Sequence, residues 1–452
     1  MAQYPNYKIF DLPWINTIPS HWNIQRNKNI FKEVKDEVGQ EASQYTLLSL
    51  TTKGIIPRDV ESGKGKFPAS FDKYKIIKPG YMVFCLFDID ETPRTVGLSE
   101  LNGMLTGAYT VFETNGINPR YALYYYLALD NEKALKPLYT GLRKTIKTET
   151  FLRTKMPVPP QNEQDAIVSY LEWKTSKINE LIASKKKQIS LILEQRRTLI
   201  NEAVTKGLQS DTAMKDSGVF WLGNIPASWS AIKIKYLFTE DNDRNVDGNA
   251  ELLSFSRKKG LVPFSEISEK APSASDLTNY RLVKEGQLLE NRMQAWNGMF
   301  ISVDRKGCVS PDYSVFNTSR DRYVNVKFYE YVFRSPLQVE QFANASRGLG
   351  TGFNRLYTPA FGAIYTVYPP QDEQEAIVEY LDKITKKFDL MVQKKEEQIE
   401  KLRELKTLLI SDAVFGRVDV TGIQIPEYEY VEDSEDDADM NLEEEDTEKQ
   451  ED

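Results

Sequence analysis

The chain has 452 residues, 40% hydrophobic and 11% aromatic, with 58 Lys or Arg against 66 Asp or Glu; this excludes disorder throughout and leaves apolar material for two or three cores. Its two cysteines, Cys85 and Cys308, exclude a disulfide scaffold and a four-cysteine zinc site, and its single histidine, His21, excludes multi-histidine metal sites. A mean hydropathy of −0.49, no apolar run near ~18 residues and the absence of a secretory pattern in MAQYPNYKIF predict neither a membrane span nor a signal peptide.

Residues 1–158 read as a mixed α/β domain. YMVFCLF (81–87) and AYTVFE (108–113) are aromatic and β-branched runs bounded by turn residues, so they predict strands. YALYYYLALD (121–130) predicts a helix, and Cys85 reads as a small buried residue. Lys53, Arg58, Lys64, Lys66, Arg94, Arg143, Lys144 and Lys147 are the candidate DNA contacts here. Arg makes bidentate bonds to guanine edges, and Lys holds phosphates.

Pro159-Pro160-Gln161 opens a long helix reaching about 208. Proline is tolerated in the first turn, and Glu163 suits the positive end of the helix dipole. Leu171, Ile178, Ile182, Ile189, Ile192 and Leu199 form a heptad seam, broken by Lys185 and Arg196. A helix of about 45 residues is ~68 Å long, and its apolar stripe needs a partner in water.

After a linker at 209–215, residues 216–368 form a second α/β domain, with strands at YSVFN (313–317) and AIYTVY (363–368) and a helix at KFYEYVFRS (327–335). Its candidate DNA contacts are Arg257, Lys258, Lys259, Arg292, Gln294, Trp296, Arg305, Arg347, Asn354 and Arg355. Trp and Arg seldom crowd one loop for solubility, so the run around Arg292 and Trp296 stands out. GLGTG (348–352) lacks a following Gly-Lys-Ser/Thr and is no P-loop. Asp312 is not followed at short range by the acidic-x-Lys triplet of a nuclease site. No catalytic or metal-binding residue is therefore expected.

A second long helix spans 369–417, with seam residues Leu381, Phe388, Val392, Ile399, Leu402 and Leu409. Residues 418–452 are expected to be a disordered acidic tail. Its part from 427 holds 15 acidic residues and one Lys, so the whole-chain net of −8 hides a body of +6. A mildly basic body permits nucleic-acid binding. The tail reads either as a solubilising segment or as a competitor for that basic surface.

The chain is written twice. Residues 159–204 align without a gap to 369–414, with 20 of 46 positions identical. More weakly, IPSHW (18–22) matches IPASW (225–229), LLSL (47–50) matches LLSF (252–255), and AYTVF (108–112) matches DYSVF (312–316). Two copies of one helix in one chain predict an intramolecular antiparallel coiled coil separating two globular domains, with pseudo-two-fold symmetry.

This order of variable domain, similar helix, variable domain, similar helix resembles the specificity subunit of type I restriction-modification systems. The resemblance runs from residue 1 to about 417. It rests on PPQ(N/D)EQ and AIV(S/E)YL in both helices, on both IPxxW runs, on the stretch Gly307 to Phe316 and on GLRKTI (141–146). It implies two target recognition domains, each reading one half of a gapped, asymmetric sequence in double-stranded DNA. The helices would set the gap and dock two methyltransferase subunits, with motor-nuclease subunits joining for cleavage. S-adenosylmethionine, ATP and Mg²⁺ would belong to those partners, this chain would be non-catalytic, and the assembly would be cytoplasmic. The alternative is a coiled-coil adaptor presenting two protein-binding domains without DNA specificity.

Overall fold

The computed structural model describes residues 2–58, 70–140, 144–209, 211–257, 259–268, 276–348 and 354–433. They form two compact units. Of the described residues, unit 1 takes those up to Lys186 together with 396–433, and unit 2 takes Lys187–Lys395. Each long helix, Gln161–Lys206 and Gln371–Val414, is therefore shared between units. Each unit thus joins one globular domain to about half of each helix.

The duplication extends to every sheet. Unit 1 is built on an antiparallel sheet in the order Phe31–Val34, Thr110–Thr114, Met82–Phe84, Val96–Leu98. Unit 2 repeats it as Phe238–Asp241, Tyr313–Thr318, Leu288–Asn291, Phe300–Ser302. The strand entering each long helix pairs with the strand after the IPxxW run, Lys155–Val158 with Asn23–Arg26 and Tyr365–Tyr368 with Ser230–Lys233.

Aromatic rings fill both cores. In unit 1, Phe31, Phe84, Phe112, Tyr126 and Phe151 pack together, with Phe84 and Phe151 centroids 4.9 Å apart. Ile167, Val168, Tyr170 and Leu171 of the first long helix and Ile410, Ala413 and Val414 of the second close this core. In unit 2, Phe238, Phe300, Phe316, Phe333, Phe342 and Phe361 are closed by Ala203, Val204, Ile377 and Leu381. One cross-strand pair is exchanged between the units. Phe84 faces Val96 in unit 1, whereas Glu290 faces Phe300 in unit 2, so the ring has moved to the neighbouring strand and left a carboxyl in its place.

The repeated motifs prove to be one clasp, built twice. Trp22 is fully buried and donates its indole N–H to Glu163 Oε1 at 2.8 Å, while His21 Nε2 meets Glu163 Oε2 at 2.8 Å. Trp229 donates to Glu373 at 2.7 Å, and Ser228 stands where His21 does, 2.8 Å from the other oxygen. Gln164 and Gln374 donate to the carbonyls of Pro159 and Pro369 and accept from the backbone N–H groups of Asn118 and Asn325. The PPQ(N/D)EQ run is thus a helix start whose Glu and Gln pin it to its own globular domain.

The end of the opposite helix seats on the same tryptophan. Gly416, at φ +69°, ends the second long helix: its N–H bonds Ala413 O and the N–H of Arg417 bonds Asp412 O, the double bond of a left-handed C-cap. A Cβ at Gly416 would stand 2.9 Å from the Trp22 ring and closer still to the Pro19 ring. Gly207, at φ +77°, ends the first long helix with 3.5 Å of room to Trp229. Gly416→Ala is therefore expected to cost about 2–5 kcal/mol, the left-handed penalty plus overpacking, and Gly207→Ala only about 1–2 kcal/mol. Urea unfolding of the two variants checks the difference, and equal losses would contradict it.

Seam residues behave as the heptads require. In unit 1, Leu171, Ile178, Ile182 and Ile399 are buried and Leu402 and Leu409 half-buried. In unit 2, Ile192, Leu381 and Phe388 are buried and Ile189, Leu199 and Val392 half-buried. Within unit 1 the helices run antiparallel: Lys406 Nζ donates to Asn179 Oδ1 at 3.0 Å, while Leu171 shares a core with Ile410 and Val414. The positions repeating this polar pair carry Asp389 and Arg196, 2.8 Å apart within unit 2. Two basic residues of the seam, Arg196 and Lys406, are therefore matched by polar partners.

Residues 418–433 depart from the expected disordered tail. The Asp419 N–H bonds Ala2 O at 2.9 Å, Val420 is buried, and Ile423 and Ile425 pack on the unit 1 core. Ser176 bonds both Glu429 O and the N–H of Val431, Asn179 donates to Val431 O at 2.9 Å, and Asp433 pairs with Lys406. Apolar residues early in this stretch hold it down, which the charge count of the whole tail concealed. The rest of the acidic run lies outside the described residues.

Candidate nucleic-acid interface

In unit 2 the strand Leu288–Asn291 runs straight into the polar loop 291–297. Asn291 Oδ1 accepts from the Met293 N–H at 3.1 Å, and Gly298 closes the loop at φ +77°. A second segment is tied to it: Leu356 N–H donates to Arg292 O at 3.2 Å, and Arg347 and Arg355 exchange backbone hydrogen bonds beside it. The structure thus gathers Arg257, Arg292, Gln294, Trp296, Arg347 and Arg355 around one loop. Arg257 Nη2 donates to Asn297 O at 2.6 Å. Arg292 donates through Nε to Asp312 O at 3.1 Å and through Nη2 to Pro311 O. Arg355 Nη2 lies 3.4 Å from Asp312 Oδ1, and its Nε points at the Met293 sulfur at 3.1 Å. Trp296 spends its indole N–H on Met293 O at 3.0 Å and leaves its ring partly exposed.

Unit 1 builds the same junction with an acidic loop facing a basic segment. The loop after Met82–Phe84 is tied to the segment before the helix Thr148–Arg153 by Asp88 N–H to Lys144 O at 2.8 Å and Ile146 N–H to Leu86 O at 2.7 Å. Asp88 takes the left-handed φ of +43°, one that Asp tolerates better than most residues. Lys144 reaches both Asp90, at 3.0 Å, and Glu91, at 2.5 Å. Hydrogen bonds from Lys144 and Tyr139 hold the Asp90 carboxyl at about 2, and the two carboxylates hold Lys144 charged well above its ordinary range. Lys144, expected as a DNA contact, thus has its charge compensated by its neighbours.

The remaining candidates are more scattered. Lys53 is exposed and Arg58 half-buried on one hairpin, Arg94 is half-buried, and Lys147 and Asn354 are exposed. Arg305 pairs with the adjacent Asp304, and Lys259 donates to Glu266 O at 2.8 Å. Lys64, Lys66, Arg143 and Lys258 lie outside the described residues. The search for basic residues missed Asp90, Glu91, Tyr139 and Asp312, which orient the cations. The mismatch of AYTVF with DYSVF already marked Asp312 as a difference between the halves.

Under the unit 2 loop, Glu290 is fully buried, and neither carboxyl oxygen meets a hydrogen-bond partner. Burial pushes its pKa up to about 8, and the neighbouring Ser314 hydroxyl, Arg292 and Arg281 only partly offset this. Arg281 is itself paired with Glu240 at 3.0 Å. Among the described residues no group of His, Cys, Asp and Glu could hold a metal ion, and no helix is long and apolar enough to cross a membrane. Both cysteines are buried.

Residues 104–191 match the family described as Type I restriction modification DNA specificity domain. Across 435 residues the chain is 23% identical to a Methanocaldococcus jannaschii protein described as the specificity subunit of type I restriction enzyme MjaX, covering 89% of this chain and 96% of that one. Among solved structures, a chain from work on complex assembly and conformational transition of the type I R-M system superposes with a TM-score of 0.62 at 14% identity, over 89% of this chain and 99% of that chain. The HsdS subunit from Thermoanaerobacter tengcongensis aligns with a TM-score of 0.48 at 14% identity, over 89% and 98%.

Proposed function

We infer that the chain is a type I restriction-modification specificity subunit, and from that premise that it gives an enzyme assembly the DNA sequence on which to act. The observation that carries this is the pairing of one scaffold with two surfaces. Every sheet, clasp and helix end is repeated, yet the junction that carries Arg292, Asp312 and Arg355 in unit 2 carries Asp90, Glu91 and Lys144 in unit 1. Two-fold DNA readers place equal elements on equal half-sites. A duplicated chain with diverged loops reads two different halves, so its target is asymmetric.

The long helices then act as the spacer that fixes the unread gap and as the docking surface for two methyltransferase subunits. Motor-nuclease subunits complete the assembly. S-adenosylmethionine, ATP and Mg²⁺ belong to those partners, the chain itself is non-catalytic, and the assembly works in the cytoplasm on double-stranded DNA.

A genome-wide map of modified adenines with and without this gene tests the reading. Loss of methylation at a single two-part motif of constant gap is the expected result. Unchanged adenines in a host with active partner subunits would return the adaptor reading. The spacer role has its own test. Four residues, close to one turn and ~6 Å of rise, inserted at matching positions of both helices keep the seam facing inward. Such a variant is expected to keep both half-sequences and change the gap; an unchanged gap would sink the spacer.

A further inference from the structure

Two guanidinium groups at one junction of unit 2 share a single partner residue, Asp312, while each keeps an edge open; Arg305 is also held along its side edge, but by its chain neighbour Asp304 and away from that junction. Arg355 uses its side edge, Nε toward Met293 and Nη2 toward the Asp312 carboxylate. Arg292 uses its side edge on the carbonyls of Pro311 and Asp312. Asp312 therefore holds Arg355 by its carboxylate and Arg292 by its main chain. Among the described residues no acceptor reaches the end-on edge of either fork. The Arg355 and Asp312 side chains remain 40% and 52% exposed, so the held groups face solvent.

An Arg that serves only to attract phosphate gains little from such fixing, because a phosphate accepts from many directions. A fork that must meet O6 and N7 of guanine together gains from being oriented beforehand. Unit 1 supplies the contrast. Among the described residues its equivalent junction offers Lys144, whose ammonium is a point charge already shared by Asp90 and Glu91. Ala108 stands there in place of Asp312.

We propose that Arg292 and Arg355 are the specificity-determining residues of unit 2, each reading a guanine through its end-on edge, and that Asp312 is the positioning residue for Arg355. This rests on the DNA-reading function above and assigns base chemistry to it.

The test is selection from a randomised duplex library by the full chain assembled with its methyltransferase partner, for the parent, Arg355→Ala, Arg355→Lys, Arg292→Ala and Asp312→Asn. The parent is expected to enrich a two-part motif with guanine at two positions of one half. Arg355→Ala should relax one of them by about 5- to 150-fold in discrimination, the span of one bidentate contact, and leave the other half-sequence intact. Arg355→Lys should relax the same position, since an ammonium offers no fork. Asp312→Asn keeps its main-chain carbonyl, so it should weaken the Arg355 position and spare the Arg292 position. Its nonspecific binding should be unchanged or tighter, because a negative charge has gone; a merely structural lesion would weaken every position together. A position sensitive to Arg355→Ala that is not guanine, or an Asp312→Asn motif identical to the parent's, would overturn the proposal. Enrichment of no motif by the parent would instead overturn the DNA-reading function on which it stands.

Discussion

Trp22→Ala is expected to cost unit 1 about 3–5 kcal/mol, the range for deleting a fully buried large aromatic side chain. The site has little freedom to collapse, because three segments meet at that ring: its own IPxxW run, the start of the first long helix through Glu163, and the end of the second through Gly416. Deletion also leaves the nearly buried Glu163 with one oxygen unpaired, which adds a desolvation cost. Trp22→Phe retains most of the ring and loses only the N–H, so about 1–3 kcal/mol is expected from it. Amide exchange is the measurement: protection should fall along Asn23–Arg26 and Lys155–Val158 while Ser230–Lys233 and Tyr365–Tyr368 hold. Equal loss in both units would show that the two clasps do not act locally.

The second large effect is a gain. Glu290 has its pKa raised from 4.5 to about 8 in the folded chain, chiefly by burial. Below about 4.5 the carboxyl is neutral whether the chain is folded or not, and the group adds no pH dependence. As pH rises toward 8 the unfolded chain releases the proton and the folded chain keeps it, so stability falls across that window and then levels. At about 1.4 kcal/mol for each tenfold change in proton affinity, the loss by pH 8 is on the order of 4 kcal/mol. Glu290→Gln removes the titration and should leave unit 2 more stable than the parent at pH 8 by several kcal/mol, with little difference near pH 4. Urea unfolding at both pH values reads this directly, and parallel stability profiles of parent and variant would refute it.

What the sequence disclosed and what it withheld follow from range. The duplication, the two long helices, the seam from Leu171 to Leu409 and the IPxxW and PPQ(N/D)EQ runs were legible because each is a local pattern or a direct repeat. Their purpose was not. That Trp22 meets Glu163, 141 positions away, depends on a chain reversal that no periodicity reports. Likewise, both helices looked like connectors because heptads mark a stripe without naming what covers its ends, and Ile167 and Val414 prove to be core residues of one unit. At the candidate interface, residue type alone singled out Arg292, Trp296, Arg355 and Lys144 alike. Only the fold showed that Asp90 and Glu91 pair with Lys144 while Asp312 holds Arg292 and Arg355.

The division of the chain between the units also sets an order of events during synthesis. Among the described residues unit 2 is a continuous stretch, Lys187–Lys395, and that stretch can close as soon as it leaves the ribosome. Unit 1 begins first but needs Ile410, Val414 and Phe415 to cover Trp22, Tyr121 and Tyr125. The 209 residues between its two parts take about 10–40 s to translate at ~5–20 residues per second. Throughout that interval the nascent N-terminal half carries an uncovered aromatic surface, the state in which a growing chain most needs a chaperone. The half of the molecule made first is therefore the half finished last.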